Sequence, residues 1–507
     1  MARRRAVLGI DLGTSGVKVL VVGLDDGTRD TGTPDDNGTA DDNGTADDNG
    51  TANDSGTPDR NGTTNDDGTP GNHGTVDGRV LGRGRAEYPV LVPSAGRAES
   101  APGDWWRSTC RAVRQAVAQT SDAQIVALAV AGQMHGLVLA RAAAAAAADD
   151  NDNAAADNDA GGGPVRPAIL WLDQRAALEA DRYAQLPTAL TAGLGNRPSA
   201  GMAGPILCWL AEHEPEHVAA AQWALQPKDW LRLQLTGEAA TDPTDASGTL
   251  LYDLKRDAWA DDLIAALGLP HDKLPPVRGS EQPSGALLPG PAAELGLPPG
   301  LPVATGAADT AAALYAADLQ ADDAMLTLGS GGQWAVPETE FRPTAATNLY
   351  RAVGDGYYRL APVQNVGVTL NWVRALLDVS WADLYDAARR PARPNAPVFA
   401  PYLTPERWDP TATGAWTGLT LAHRREDLLR SALDGVAALL GERLDDLRAA
   451  GHHPRSVILG GGGAAHPAWR AQLADTVALP LRPSPAPWLT ATGAARLAAA
   501  AASHPSR

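Results

Sequence analysis

GIDLGTSGVK (residues 9–18) runs from an apolar strand into a tight Asp-x-Gly-Thr-Ser-Gly turn. Such a turn aims backbone N–H groups and hydroxyls at one spot and sets a carboxylate beside them, which is how a chain cradles phosphate and steers a magnesium ion. TLGSGGQ (327–333) repeats the arrangement of strand, glycine, hydroxyl and glycine. Two such turns far apart in sequence predict two domains closing on one nucleotide. Three more glycine-marked stretches accompany them: AGQMHG (131–136), TGAADTAAA (305–313) and ILGGGGAAHPAWRAQLAD (458–475).

Around these turns strands and helices alternate. DWWRSTCRAVRQAVAQ (104–119) spaces its apolar residues as a helix does, QIVALAVAG (124–132) is a buried strand, and residues 423–451 form a long amphipathic helix. RSVILGGGG (455–463) is a strand ending in a glycine turn, with a helix over 467–477. The pattern is α/β in two halves, 1–297 and 298–507, with the boundary before the strand LPVATG.

Two low-complexity inserts, 29–78 and 142–163, interrupt the first half. In the first, glycines fall at 32, 38, 44, 50, 56, 62, 68 and 74, each followed by Thr. A period of six built from Asp, Asn, Gly and Thr offers almost nothing apolar to bury, so a solvated, disordered tract is expected. The rival reading is calcium binding, but a calcium loop closes with a bidentate Glu, and no Glu lies between 25 and 78. KVLVVGLD (18–25) and RVLGRGRAEYPV (79–90) flank the repeat as strands, so it should extend a hairpin tip. GLVLAR (136–141) and VRPAIL (165–170) frame the second insert in the same way. Loop closure costs grow slowly with length, which makes both tolerable.

The inserts also explain the charge. Residues 25–78 hold fourteen Asp and two Arg and residues 142–163 hold five Asp, which accounts for −17 of the net −18. The remainder is nearly neutral and carries no basic stripe, which argues against a nucleic-acid partner. Two cysteines, Cys110 and Cys208, allow one bridge at most and suit a reduced, cytoplasmic protein. The basic start MARRRAVLGI lacks the long apolar core of a signal peptide, and no run of about 18 apolar residues suggests a membrane span.

GIDLGTSGVK, QMHG, PAILWLDQR (167–175), PKDWLRLQLTGE (227–238) and TDPTDASGTLLYD (241–253) occur in an order that resembles the FGGY carbohydrate kinases, most closely the branch that phosphorylates D-xylulose. The resemblance spans about residue 7 to residue 500. It implies the two-domain actin-like ATPase (ribonuclease H-like) α/β fold with a cleft between domains, ATP and Mg²⁺ as cofactors, and a small sugar as substrate. It leaves a homodimer open.

Site residues follow, each with its plainer alternative. Asp11 would hold magnesium, with Thr14, Ser15 and Gly16 donating to phosphate; alternatively it caps a tight turn. Asp309 stands between a buried strand and a helix start, where it could take the proton of an attacking sugar hydroxyl, or simply begin the helix. The resemblance matches it to the family's catalytic base, although this chain reads Ala308-Asp309-Thr310 where the family has Gly-Asp-Asn or Gly-Asp-Gln. Gln133, Met134 and His135 match the family's sugar contact, and Asp173 and Arg175 either bond sugar hydroxyls or pair with each other. Gly329, Ser330 and Gly331 form the second phosphate turn, with one hydroxyl fewer than the family often shows. Gly461, Gly462 and Gly463 match the family's adenosine turn, followed here by Ala464-Ala465-His466 rather than Ala-Arg-Ser. In PYLTPERWDPTATGAWTGL (401–419), Pro405 and Trp408-Asp409 replace the family's Gly and Thr-Pro, while Glu406 and Arg407 remain. The substitutions leave two other readings open: an FGGY-type kinase for a different pentulose, polyol or aldonate, and a non-catalytic sugar or nucleotide sensor.

Overall fold

The computed structural model describes residues 4–24, 76–142, 162–320, 322–391, 393–404, 406, 411–486 and 488–503. The repeat, most of the second insert, the altered positions 405, 408 and 409, and residues 407 and 410 lie outside them. Among the described residues no helix is long and apolar enough to cross a membrane.

The first body grows from three strands: β1 (Arg4–Leu12), β2 (Gly16–Leu24) and β3 (Val76–Glu87). They form an antiparallel meander. The pairing of Leu24 with Val76 makes the first insert the connection of a hairpin, as its flanks predict. β3 begins at Val76, inside the stretch read as insert. Helix α1 (Pro102–Val117) covers one face. It approaches β3 where Gly82 and Gly84 lack side chains, because a Cβ at either would strike the backbone of Ala116 or Ala112. β4 (Ala123–Gly132) then returns parallel to β1. At the second insert Ala140 bridges Pro164 antiparallel, so that segment also closes a hairpin-like pair.

After helices α2 (Pro227–Thr236) and α3 (Pro243–Ala246), strands β5 (Pro283–Ala286), β6 (Pro302–Ala304) and β7 (Ala307–Ala308) complete the sheet. The order is β5-β6-β4-β1-β2-β3, with β7 also paired to β4. The strand LPVATG, expected to open the second half, is therefore a member of the first sheet. Helix α4 (Asp309–Ala317) follows directly.

The second body repeats the plan. Its strands are β8 (Asp323–Leu328), β9 (Gly332–Glu338), β10 (Asn348–Arg351) and β11 (Tyr357–Val363). Helices α5 (Gly367–Leu376) and α6 (Arg425–Ala449) come next, then β12 (Ser456–Gly460), α7 (Pro467–Val477) and β13 (Leu481–Pro483). The order is β10-β11-β9-β8-β12-β13, with β8, β12 and β13 parallel. Thus β1/β2 and β8/β9 are equivalent hairpins, and their turns are the two phosphate-type turns of the sequence.

The last helix, α8 (Leu489–Ser503), lies against β1 and α4. Gly9 and Gly493 allow this, since a Cβ at Gly9 would strike the α8 backbone and one at Gly493 the α4 backbone. Alanines of α4 and α8 pack with Val7, Met325 and Tyr358 in one core, so both sheets share a hydrophobic layer.

Candidate active site

The parallel strands β1, β4 and β7 end level with one another. Asp11 and Ala307 both pair with Ala131, while Leu12 and Ala308 both pair with Gly132. The next residue of each strand therefore leaves the sheet at the same place: Gly13, Gln133 and Asp309. In parallel α/β sheets this carboxyl edge is where ligands bind. Gly306 makes the approach feasible, since its φ is +89° and a Cβ there would strike the Val130 carbonyl.

Two carboxylates meet at this edge. Asp11 is buried, and its partner is the Lys18 ammonium at 3.7 Å from the facing strand. Burial pushes the Asp11 carboxyl above its ordinary range, with Lys18 opposing. Asp309 Oδ1 accepts from the Thr310 N–H at 2.6 Å and the Thr310 hydroxyl at 3.1 Å. Burial first, and the nearby Asp11 charge second, push the Asp309 carboxyl up to about 6 against those two bonds. A helix start favours a negative charge, but here burial and the neighbouring carboxylate outweigh it. A carboxyl held near neutrality is suited to taking a proton.

Around Asp11, Gly13 N–H donates to the Gly16 carbonyl at 3.0 Å, and the Tyr88 hydroxyl donates to the Gly13 carbonyl. Thr14 Oγ1 accepts from the Trp171 indole at 3.0 Å, while Ser15 stands exposed. In the second body Gly329 N–H donates to the Gly331 carbonyl at 2.8 Å, and Gly329 and Ser330 are exposed. Thr327 pairs with Gly460, which brings the Gly461–Gly463 turn beside this one. Gly461 has φ +83°, and a Cβ on it would strike the Leu328 carbonyl. The two nucleotide-type turns of the second body thus share one sheet edge. Gln333, which leaves the first of them, donates its amide to Thr310 Oγ1 at 3.0 Å and so links that turn to the Asp309 helix.

The Gln133-Met134-His135 stretch is buried at the same edge. Gln133 N–H donates to Leu12 O at 2.9 Å and its side-chain amide to Gly13 O at 3.4 Å. Its Oε1 makes no hydrogen bond among the described residues. His135 holds a left-handed backbone, φ 73°, with Nδ1 2.8 Å from the Gly248 carbonyl and its ring 5.8 Å from that of Tyr350. The Tyr358 hydroxyl donates to Met134 Sδ at 3.5 Å. Both tyrosines come from the second sheet.

Asp173 and Arg175 pair with each other. Asp173 is fully buried and accepts from Ala98 N–H at 2.7 Å and from Arg175 Nε at 2.8 Å. Arg175 also bonds Glu99. Glu406 is likewise internal: it accepts the N–H of Gln364 and of Asn365 and braces the end of β11.

Sequence reasoning missed one feature entirely, a buried charged cluster behind the site. Lys228 Nζ lies 2.5 Å from Asp229, 3.0 Å from Asp242 and 3.4 Å from Asp245, and Arg232 reaches Asp229 at 2.8 Å. All five side chains are fully buried. Two cations face three carboxylates. Asp245, the farthest from Lys228, has its carboxyl pushed well up by burial. Lys228 stays charged because the carboxylates outweigh its own burial. The signal was present in sequence as PKDWLRLQLTGE and TDPTDASGTLLYD; nothing in either stretch marks its charges as buried partners.

Comparison with known proteins agrees with this architecture. The N-terminal domain model of the FGGY family of carbohydrate kinases matches residues 74–316, and the C-terminal domain model matches residues 326–502. Xylulose kinase of Escherichia coli is 34% identical over 408 residues, covering 78% of this chain and 80% of that protein. The crystal structure of a xyloylose kinase from Brucella ovis superposes with TM-score 0.75 at 26% identity, covering 98% of this chain and 90% of that one. That of gluconate kinase from Lactobacillus acidophilus superposes with TM-score 0.76 at 21% identity, covering 97% and 89%, and shows the shared fold. With both domain models matched in order over most of its length, the chain belongs to the FGGY family of carbohydrate kinases.

Proposed function

We propose that this kinase transfers the γ-phosphoryl group of ATP to the terminal hydroxyl of D-xylulose, giving D-xylulose 5-phosphate and ADP. One observation carries the reading: Asp11 and Asp309 share one sheet edge, with Asp309 held near neutrality beside Gln133, Met134 and His135. Thr310 engages Asp309 Oδ1, which leaves Oδ2 for the sugar proton. As the sugar oxygen bonds to the γ-phosphorus, that proton passes to Asp309 and the bond to the β,γ-bridging oxygen breaks. Gln133 Oε1 and His135 orient the sugar, and Met134 supplies apolar contact. The exposed Gly329 and Ser330 with Gly331, together with Thr14, Ser15 and Gly16, receive the phosphates, and Gly461–Gly463 pass close to the adenosine.

Asp11 fits Mg²⁺, because an acceptor-only, buried carboxylate beside a second carboxylate is relieved by a divalent cation. Bound there with ATP, the ion would neutralise phosphate charge. Asp173 and Arg175 shape the wall behind Thr14 through the Trp171 loop. ADP release tests the proposal, measured with D-xylulose, D-ribulose, glycerol and gluconate in parallel. Fastest turnover on D-xylulose is expected. Faster turnover on another acceptor would reassign the substrate, and none on any would favour the sensor reading.

A further inference from the structure

Thr244 lies in α3, well before Asp309 in sequence, yet it touches the backbone N–H of the residue just before it. Its Oγ1 accepts the Ala308 N–H at 2.8 Å and donates to Asp242 Oδ2 at 2.6 Å. Asp242 Oδ1 faces Lys228 at 3.0 Å, and Asp242 Oδ2 also accepts from the Ser280 hydroxyl at 2.7 Å. Lys228, Asp242 and Thr244 are all fully buried. The direction of the chain is unique: an ammonium only donates, a carboxylate only accepts, and a hydroxyl has one proton. Lys228 therefore fixes Asp242, Asp242 takes the Thr244 proton, and the Thr244 oxygen takes the Ala308 N–H.

From this we infer that Thr244 is a positioning residue for the phosphoryl transfer, pinning the Ala308 peptide so that the Asp309 carboxylate is aimed at the attacking sugar hydroxyl. The inference rests on Asp309 being the base. β7 is two residues long and Asp309 follows it at once. Rotation of the Ala308 peptide would swing the carboxylate, and the Thr244 bond opposes that rotation. Displacement of a reacting group by about 1 Å can cost about 100-fold in rate.

The test compares four variants of the full-length protein on the sugar that it turns over. Thr244→Val keeps the shape and removes the hydroxyl; kcat should fall about 10–100-fold with KM for ATP nearly unchanged. Thr244→Ser should restore kcat to within about threefold. Ser280→Ala removes a bond to the same Asp242 oxygen without touching Ala308, and should leave kcat within about threefold. Near wild-type kcat in Thr244→Val, or an equal loss in Ser280→Ala, overturns the inference. Asp309→Asn separates the two claims: if it stays active the base assignment fails, and if it is inactive while Thr244→Val is not, the positioning role alone fails. Should Thr244→Val not fold, hydrogen exchange at the Ala308 amide of the wild-type chain decides. Protection like that of the sheet core supports the bond, and exchange at the rate of an exposed loop refutes it.

Discussion

The pH dependence of turnover tests Asp309 most directly. An ordinary aspartate, with pKa 3.8, is still more than nine-tenths ionised at about pH 5. With its carboxyl pushed up to about 6, Asp309 would be ionised in only about one molecule in ten at that pH. Activity, read as kcat/KM by a coupled ADP assay, should thus fall about tenfold between about pH 7 and about pH 5. The cause can be tested as well. Thr310 bonds lower this pKa, so Thr310→Val should move the acid limb to higher pH, while Thr310→Ser should leave it in place. Asp309→Asn should lower turnover by about 10²–10⁴-fold, the usual worth of a general base. Stability has its own sign. A carboxyl whose folded pKa is raised contributes stability that is fully present below the unfolded value, about 3.9, and lost as pH rises through the folded one. Asp309→Asn should therefore raise Tm relative to wild type at neutral pH and lose that advantage towards about pH 4. An acid limb in the ordinary aspartate range, with equal activity at about pH 5 and about pH 7, would refute the assignment.

Three other expectations follow from the geometry. Lys228→Met removes the cation facing Asp242 and Asp245 and leaves Asp229 to Arg232 alone, and should destabilise the fold by about 3–5 kcal/mol, read as a lower midpoint in urea unfolding; a midpoint within error of wild type would show that the carboxylates are not held as ions. His135→Asn retains a residue that tolerates positive φ and should weaken sugar binding by about 0.5–1.5 kcal/mol while ATP binding is unchanged in calorimetric titration; equal losses for both ligands would mark the histidine as structural. Because Leu24 and Val76 face each other across the hairpin, replacing residues 25–75 with Asn-Gly should leave kcat and Tm nearly unchanged. A calcium-dependent rise in Tm of the intact chain, absent in that variant, would instead make the repeat a binding element.

The fold was legible because its determinants are local. GIDLGTSGVK and TLGSGGQ each hold a strand end, a turn and a new strand within one short stretch, and the structure makes them equivalent hairpins. The long helix read over 423–451 spans Arg425–Ala449, and the one read over 467–477 is Pro467–Val477. The sheet membership of LPVATG was less legible, since it depends on pairing with a strand far earlier in the chain. The convergence of Asp11, Gln133 and Asp309 was reachable only through resemblance. No periodicity tells that Asp11 and Ala307 will share the register of Ala131.

The least legible part is also the most consequential. In TDPTDASG the aspartates look like solvated caps, and Asp242 does cap α3. What changes their meaning is Lys228, from another helix, and Ala308, from the strand before Asp309. A buried carboxylate without its cation would cost several kcal/mol, so the three segments must arrive together or not at all. That demand ties the first domain's core to the geometry of Asp309. The cluster is too deeply buried to meet a ligand, but through Thr244 it reaches the backbone just before Asp309. On this argument, substitutions at Lys228 or Asp242 that still fold should lose kcat before they lose affinity for either substrate.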